Sequence, residues 1–127
     1  LVAALEALCQ RHDASGAVRC TLQTPAELPR LPDALELAVY RIAQEALTNA
    51  LRHARATQVQ IWLGCVGDQL VVRIEDDGCG LEQGSVWGIG MHSMHERARC
   101  LGAVLQLRSA EQGGLILELS IPWRQAA

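Results

Sequence analysis

The sequence predicts an α+β two-layer sandwich, one mixed sheet of about five strands covered on one face by three helices. Three observations predict it. Helical and alternating hydrophobic patterns segregate along the chain instead of interleaving as βαβ units. Two turn dipeptides, Gly67-Asp68 and Gly113-Gly114, each sit between alternating runs, which is the chemistry of hairpins. A length of 127 residues, 50% of them hydrophobic, suits one core and one domain, residues 1–127, rather than two.

Leu1, Leu5, Leu8 and Cys9 recur at helical spacing over residues 1–12, and Ser15-Gly16 ends that run. Val18, Cys20 and Leu22 then alternate as in a strand. Pro25, Pro29 and Pro32 keep the chain out of regular structure until Asp33, a residue suited to capping a helix. From Asp33 to about Ala54 a broad apolar face of Leu35, Val39, Ile42, Ala46 and Ala50 predicts a long amphipathic helix. TQVQIWLGCV and QLVVRIED flank Gly67-Asp68 and read as an antiparallel pair, with Val59, Ile61, Leu63 and Cys65 on one row and Val72 and Ile74 on another. The stretch DDGCGLEQGSVWGIG carries five glycines between Gly78 and Gly90 and opens into a helix, MHSMHERARCLG, closed by Gly102. AVLQLRSA and GLILELSIP form the last hairpin, with Leu115, Leu117, Leu119 and Ile121 on one dry face.

Composition excludes several classes of function. The 11 basic residues are all arginines, set against 14 acids, so no global positive field draws in a polyanion and nucleic acid is not an expected partner. No apolar run approaches the ~18–20 residues of a membrane span, and no membrane contact is expected of the domain itself. The five cysteines are too widely spaced for a CxxC metal knuckle or a disulfide framework, and fit reduced thiols in the cytoplasm. The chain begins LVAALEALCQ, without Met or a basic leader, and is expected to be a segment of a longer protein.

Three segments carry chemistry. On the long helix, Arg41, Glu45, Thr48, Asn49 and Arg52 fall in one narrow band with His53 at its edge. Such a band is ordinarily a solvated face. Glu45 and Asn49, however, stand one turn apart among small neighbours and offer two oxygens to a hard cation that keeps most of its water, as nucleotide-bound Mg²⁺ does. In EDDGCG, a carboxylate at a strand end can accept a hydrogen bond from an exocyclic amine such as adenine's, while Gly78 and Gly80 let a flat ligand approach. Taken alone, the same acids make a turn or a weak cation site. In GIGMHSMHERA, Gly88 and Gly90 before a helix expose N–H groups at the positive end of its dipole, an anion site. The segment is neither a dinucleotide fingerprint nor a Walker loop, because no parallel βαβ unit follows it and the chain has no lysine.

Taken in order, RIAQEALTNALRHARA resembles the N box, EDDGCG the G1 box and GIGMHSMHERARCLGA the G2 box of the catalytic and ATP-binding domain of sensor histidine kinases. The resemblance is to the subfamily of the nitrate/nitrite sensors, whose GHKL fold is shared with gyrase, Hsp90 and MutL, and it covers nearly the whole chain. It implies ATP and Mg²⁺ as cofactors. Asn49 would bind Mg²⁺, with Glu45 holding or polarising water in its shell, and Arg52 and His53 would approach the phosphates. Asp76 would take the adenine amino group in a pocket shaped by Gly78 and Gly80. Leu81, where a short lid running to about Trp87 begins, belongs to the same pocket, and Gly88, Gly90 and Met91 would line the triphosphate. Where the family usually has Thr after the glycines of the last hairpin, this chain has Leu115, and the commoner Leu after the second G2 glycine is Met91.

The activity implied is transfer of the ATP γ-phosphate to a histidine on a separate dimerisation domain of the same protein, then to an aspartate of a response regulator, commonly one with a helix-turn-helix output domain. The full-length protein would be a homodimer and this domain cytoplasmic, any inner-membrane anchor lying elsewhere in the parent. RHDAS around His12 superficially resembles the acceptor His-Asp pair, but Ser15-Gly16 breaks the helix at once, and His12 is expected to be structural. His92 and His95 are expected to face the surface or the lid, Cys79 to be a small residue that fits its glycine motif, and Trp62 and Trp123 to pack, leaving Trp87 to meet nucleotide. Two rival readings stand beside this one: a GHKL ATPase with Glu45 as general base, and a non-catalytic nucleotide-binding module, degenerate at Leu115, that acts through its lid.

Overall fold

A computed structural model of the chain describes residues 1–14, 16, 18–24, 28, 31–52, 56–78, 89–110 and 113–122, with the backbone alone at 51–52 and 89–93. Eight elements follow in the predicted order: α1 (Val2–Ala14), β1 (Arg19–Gln23), α2 (Asp33–Arg52), β2 (Gln58–Val66), β3 (Gln69–Asp76), α3 (Ile89–Cys100), β4 (Val104–Ser109) and β5 (Leu115–Pro122). None of the helices among the described residues is long and apolar enough to cross a membrane.

The strands form one mixed sheet in the order β1-β2-β3-β5-β4. β1 runs parallel to β2, and the other three pairs are antiparallel. Parallel neighbours need a crossover, and α2 provides it, so the expected segregation of helices from strands gives way here to one βαβ unit. The pairing of β3 with β5 positions the site. Its register, from Gln69 opposite Pro122 to Glu75 opposite Ile116, sets the start of β5 beside the end of β3.

Alternation along the strands sorts their side chains. Val59, Ile61 and Leu63 of β2, Leu70, Val72 and Ile74 of β3, and Leu117, Leu119 and Ile121 of β5 are all buried on one face. The helices meet them with Leu5 and Leu8 of α1, the predicted row Leu35, Val39, Ile42, Ala46 and Ala50 of α2, and Met94 and Ala98 of α3. Each of the larger aliphatic side chains contributes about 1.5–3 kcal/mol by leaving water. Cys65, on the buried row by parity, departs from expectation and is exposed beside the hairpin turn. Trp62 packs, on the face opposite the core at 37% exposure, where its ring covers Gly64 so closely that an added Cβ there would stand 2.9 Å from the ring carbons.

The ends of the elements follow local chemistry. Gly67 takes φ +60° in the tight turn joining β2 to β3. Gly102, at φ +66°, closes α3: its N–H donates to the Arg99 carbonyl and that of Ala103 to Ala98, the double bond of a Schellman motif. At the start of α2 the Pro32 carbonyl accepts from Glu36, so Pro32 is the cap and Asp33 the first residue inside, one position on from expectation. α3 likewise begins earlier than expected, at Ile89, which puts Gly90 within its first turn rather than before it.

Candidate functional site

β3 places the first element of the site by parity alone. Asp76 continues the row Leu70, Val72 and Ile74, so the strand drives a carboxylate into the helix-covered face at 7% exposure. It is the one buried charged side chain among the described residues. The Gly78 N–H donates to its Oδ1 at 2.8 Å, in the manner of an Asx turn, and the Leu115 N–H, from the neighbouring β5, donates to the same oxygen at 3.3 Å. Burial pushes the Asp76 carboxyl above the usual aspartate range, the two N–H groups oppose that shift, and the charges of Asp77 and Glu75 add to it.

α2 supplies the second element. Asn49 was expected on a polar band; the structure grades that band, with Arg41 exposed and Glu45, Thr48 and Asn49 half-buried. The reason is helical spacing: Ala46 and Ala50, three residues before and one after Asn49, are both on the buried face. Thr48 turns its hydroxyl back to the Gln44 carbonyl, at 3.0 Å. Asn49 and Asp76 line one cavity of about 10 Å³, walled by Ala46, Ile74, Met94, Leu115 and Leu117. That is about the room one water needs. Among the described residues the buried Asn49 Nδ2 has no hydrogen-bond partner. Since the two ends of a carboxamide are distinguished only by their partners, the group offers the cavity either a donor or an acceptor. Leaving it unmatched costs about 1–3 kcal/mol, which a polar ligand would recover.

Glu45 lies one turn before Asn49, outside the cavity wall. Arg52 ends α2, Gly90 and Met91 belong to the first turn of α3, and the side chains of Arg52 and Met91 lie outside the described residues. His53, Gly80, Leu81 and Gly88 lie outside them altogether. Hollows of about 940 and 790 Å³ occupy the open face of the sheet, around Trp62 and Arg73, and neither includes Asn49. The small cavity is the better candidate because it joins a buried acceptor to an unpaired amide, whereas the large ones are open surface.

A family model for histidine kinase-, DNA gyrase B-, and HSP90-like ATPases matches residues 34–125. The chain belongs to this ATPase family. Sensor histidine kinase LiaS of Bacillus subtilis (strain 168) is 37% identical over 86 residues, covering 66% of this chain and 24% of LiaS. Nitrate/nitrite sensor protein NarX of Escherichia coli (strain K12) is 34% identical over 116 residues, 87% of this chain and 19% of NarX. Among solved structures, the blue-light activated histidine kinase of Erythrobacter litoralis EL346 superposes with a TM-score of 0.76 at 29% identity, over 91% of this chain and 38% of that one. The chain thus spans 19–24% of the length of these two curated relatives. It is an ATP-binding domain of the histidine kinase type, and its five-stranded mixed sheet with three helices is the α+β fold expected.

This ATPase domain uses residues that sequence reasoning passed over. Gly113 and Gly114, at φ +89° and +99°, were read only as turn formers. An added Cβ on Gly114 would stand 2.0 Å from the Asp76 carbonyl oxygen, so only glycine allows β5 to start this close to the end of β3 and its next N–H to reach the Asp76 carboxylate. The signal available was their place directly before Leu115. That side chain adds an apolar wall to the cavity where a threonine would add a hydroxyl.

Asp77 was the other omission. Its Oδ1 accepts from the backbone N–H groups of Thr57 and Gln58 at 2.7 and 2.9 Å, and its Oδ2 from the Thr57 hydroxyl at 2.5 Å. The Thr57 hydroxyl, ahead of the N–H groups, holds this carboxyl below the usual aspartate range. Two consecutive acids thus diverge: Asp76 faces the cavity and Asp77 ties the end of β3 to the start of β2. With the folded pKa depressed, Asp77 stabilises the fold above its unfolded pKa, and that contribution disappears as pH falls through the folded one. Asp77→Ala is expected to destabilise by about 1–2 kcal/mol at neutral pH. The difference from wild type should shrink in acid, which thermal melts across pH would show.

Proposed function

We propose that residues 1–127 form one ATP-binding catalytic domain of a two-component sensor histidine kinase. It holds ATP with Mg²⁺ and presents the γ-phosphate to a histidine on a separate dimerisation domain of the same, homodimeric protein. The phosphoryl group then passes to an aspartate of a response regulator. The domain works in the cytoplasm, without itself contacting membrane or nucleic acid. The observation that supports this most is a small cavity lined by both a buried carboxylate, Asp76 of β3, and Asn49 of α2, whose Nδ2 has no hydrogen-bond partner among the described residues.

On this reading Asp76 accepts from the adenine amino group at the cavity floor, and Gly78, with Gly80 and Leu81, shapes the surround. Asn49 and Glu45 would hold Mg²⁺, which supplies neutralisation of phosphate charge when bound. No three of His, Cys, Asp and Glu cluster for a metal among the described residues. Two oxygen donors one turn apart suit a cation that completes its shell with water and phosphate oxygens. Gly88, Gly90 and Met91 bring the triphosphate to the start of α3, where the first-turn N–H groups have no helical partner, and Arg52, with its guanidinium charge, and His53 approach it. In the transfer the γ-phosphorus forms a bond to the acceptor nitrogen as its bond to the ADP oxygen breaks. The protein contributes position and charge.

Calorimetric titration of ATP with and without Mg²⁺ tests the binding step. Asn49→Ala is expected to weaken Mg²⁺-dependent ATP binding about tenfold or more, as loss of a contact to a charged group does. Far-UV circular dichroism should be unchanged, and an undiminished Mg²⁺ effect would exclude Asn49 from the metal site. Adding a dimerisation domain should produce acid-labile phosphate on histidine. Phosphate release by the chain alone would favour the ATPase reading, and binding without either outcome the regulatory module.

A further inference from the structure

Cys9 on α1 and Cys20 on β1 are eleven positions apart in sequence, yet their sulfurs lie 2.9 Å from one another, with the Cys20 thiol donating to Cys9. Both are buried, at 5% and 7% exposure, in the core between the first helix and the parallel edge strand. We propose that Cys9 and Cys20 are a dithiol site for peroxide-class oxidants, closing to an intramolecular disulfide that staples α1 to β1. The inference does not depend on nucleotide binding.

Geometry comes first. A disulfide needs about 2.0 Å between sulfurs, so closure asks the pair to approach by roughly 0.9 Å. Burial of Leu5, Leu8 and Cys9 with Val18 and Cys20 in one core already holds the two elements together. Chemistry then distinguishes the two thiols. The hydrogen bond from Cys20 draws the Cys9 thiol below its ordinary value, against its burial and the nearby charge of Asp13. Cys20, which donates that hydrogen bond and is itself buried, is pushed well above its ordinary value. Cys9 is therefore the more readily ionised of the two and the sulfur that attacks, with Cys20 the resolving thiol.

The Cys9 sulfur attacks one peroxide oxygen; an S–O bond forms, the O–O bond breaks, and the departing hydroxide leaves as water with the Cys9 proton. The Cys20 sulfur then attacks the Cys9 sulfur, the S–O bond breaks, and hydroxide leaves with the Cys20 proton as a second water. Two thiols are oxidised by two electrons and one peroxide is reduced to two waters. A dithiol reductant reverses the product by exchange.

The test is hydrogen peroxide treatment of the folded chain, followed by alkylation, proteolysis and mass mapping, with Cys65→Ser/Cys100→Ser as a second background because both those thiols are exposed. The expected product joins the Cys9 and Cys20 peptides, is 2 Da lighter than the reduced pair, and disappears with dithiothreitol. Closing a loop of this size should raise Tm by roughly 5–10 °C, reversibly. Cys9→Ser should abolish both the link and the Tm rise. Recovery of Cys9 and Cys20 as alkylated or separately over-oxidised thiols, or linked only to other cysteines, would overturn the proposal. The wild-type map decides this even if a serine variant folds poorly.

Discussion

Replacing Asp76 with asparagine is expected to weaken ATP binding by two to three orders of magnitude while leaving the fold at least as stable as before. Asparagine retains a side-chain oxygen that can accept from the Gly78 and Leu115 N–H groups, so the turn and the β3–β5 junction keep their hydrogen bonds. It loses the negative acceptor, and under the proposed adenine contact its second position becomes an NH₂ facing the adenine amine. A lost charge-assisted bond together with two opposed donors amounts to roughly 3–4 kcal/mol. Stability moves the other way. Because burial raises the Asp76 pKa above its unfolded value, this group favours folding most at low pH, and the contribution falls as pH rises through the interval between the two values. At neutral pH its charge opposes folding, and asparagine removes that opposition. Wild-type affinity for ATP should also fall as Asp76 becomes protonated with falling pH, a dependence the variant lacks. Calorimetry and thermal melts over a pH series read both effects, and unchanged affinity in Asp76→Asn would remove Asp76 from base recognition.

Several residues show what the sequence makes legible and where it stops. The long-helix row from Leu35 to Ala50 and the alternation in β2, β3 and β5 predict the two layers correctly because burial on one face imposes a period that a short window detects. The same parity marks Asp76, an acid in register with buried aliphatics. Asn49 is harder. A helical projection ranks it with Arg41 and Glu45, whereas packing of Ala46 and Ala50 against the sheet tilts it toward the cavity, and small neighbours do not announce on which side the sheet lies. The pairing of β5 with β3 joins residues about forty positions apart, such as Asp76 and Leu115, and no local pattern encodes that register. The same holds for Cys9 and Cys20, whose proximity depends on how α1 folds over the sheet edge.

The Gly114→Ala substitution isolates that long-range junction. Its Cβ would stand 2.0 Å from the Asp76 carbonyl oxygen and 3.0 Å from the Asp77 Cα, both backbone atoms that no rotamer change can clear. The residue also sits at φ +99°, a conformation L side chains rarely adopt. The end of β3 and the start of β5 must therefore part, which breaks the Leu115 hydrogen bond to Asp76. The expected loss is about 3 kcal/mol or more, with Tm lower by roughly 10 °C. ATP affinity of the remaining folded protein should fall at least about tenfold, because the Asp76 acceptor moves with the strand. Gly67→Ala provides the comparison: at φ +60° its added Cβ meets nothing within 4 Å, so it carries backbone strain of about 1 kcal/mol and no clash. The difference between the two variants in melting temperature measures the steric contact itself. Equal losses would mean that β5 does not approach Asp76 as closely as the site requires, and with that approach would go the hydrogen bond through which the last hairpin holds Asp76, the proposed adenine acceptor, in place.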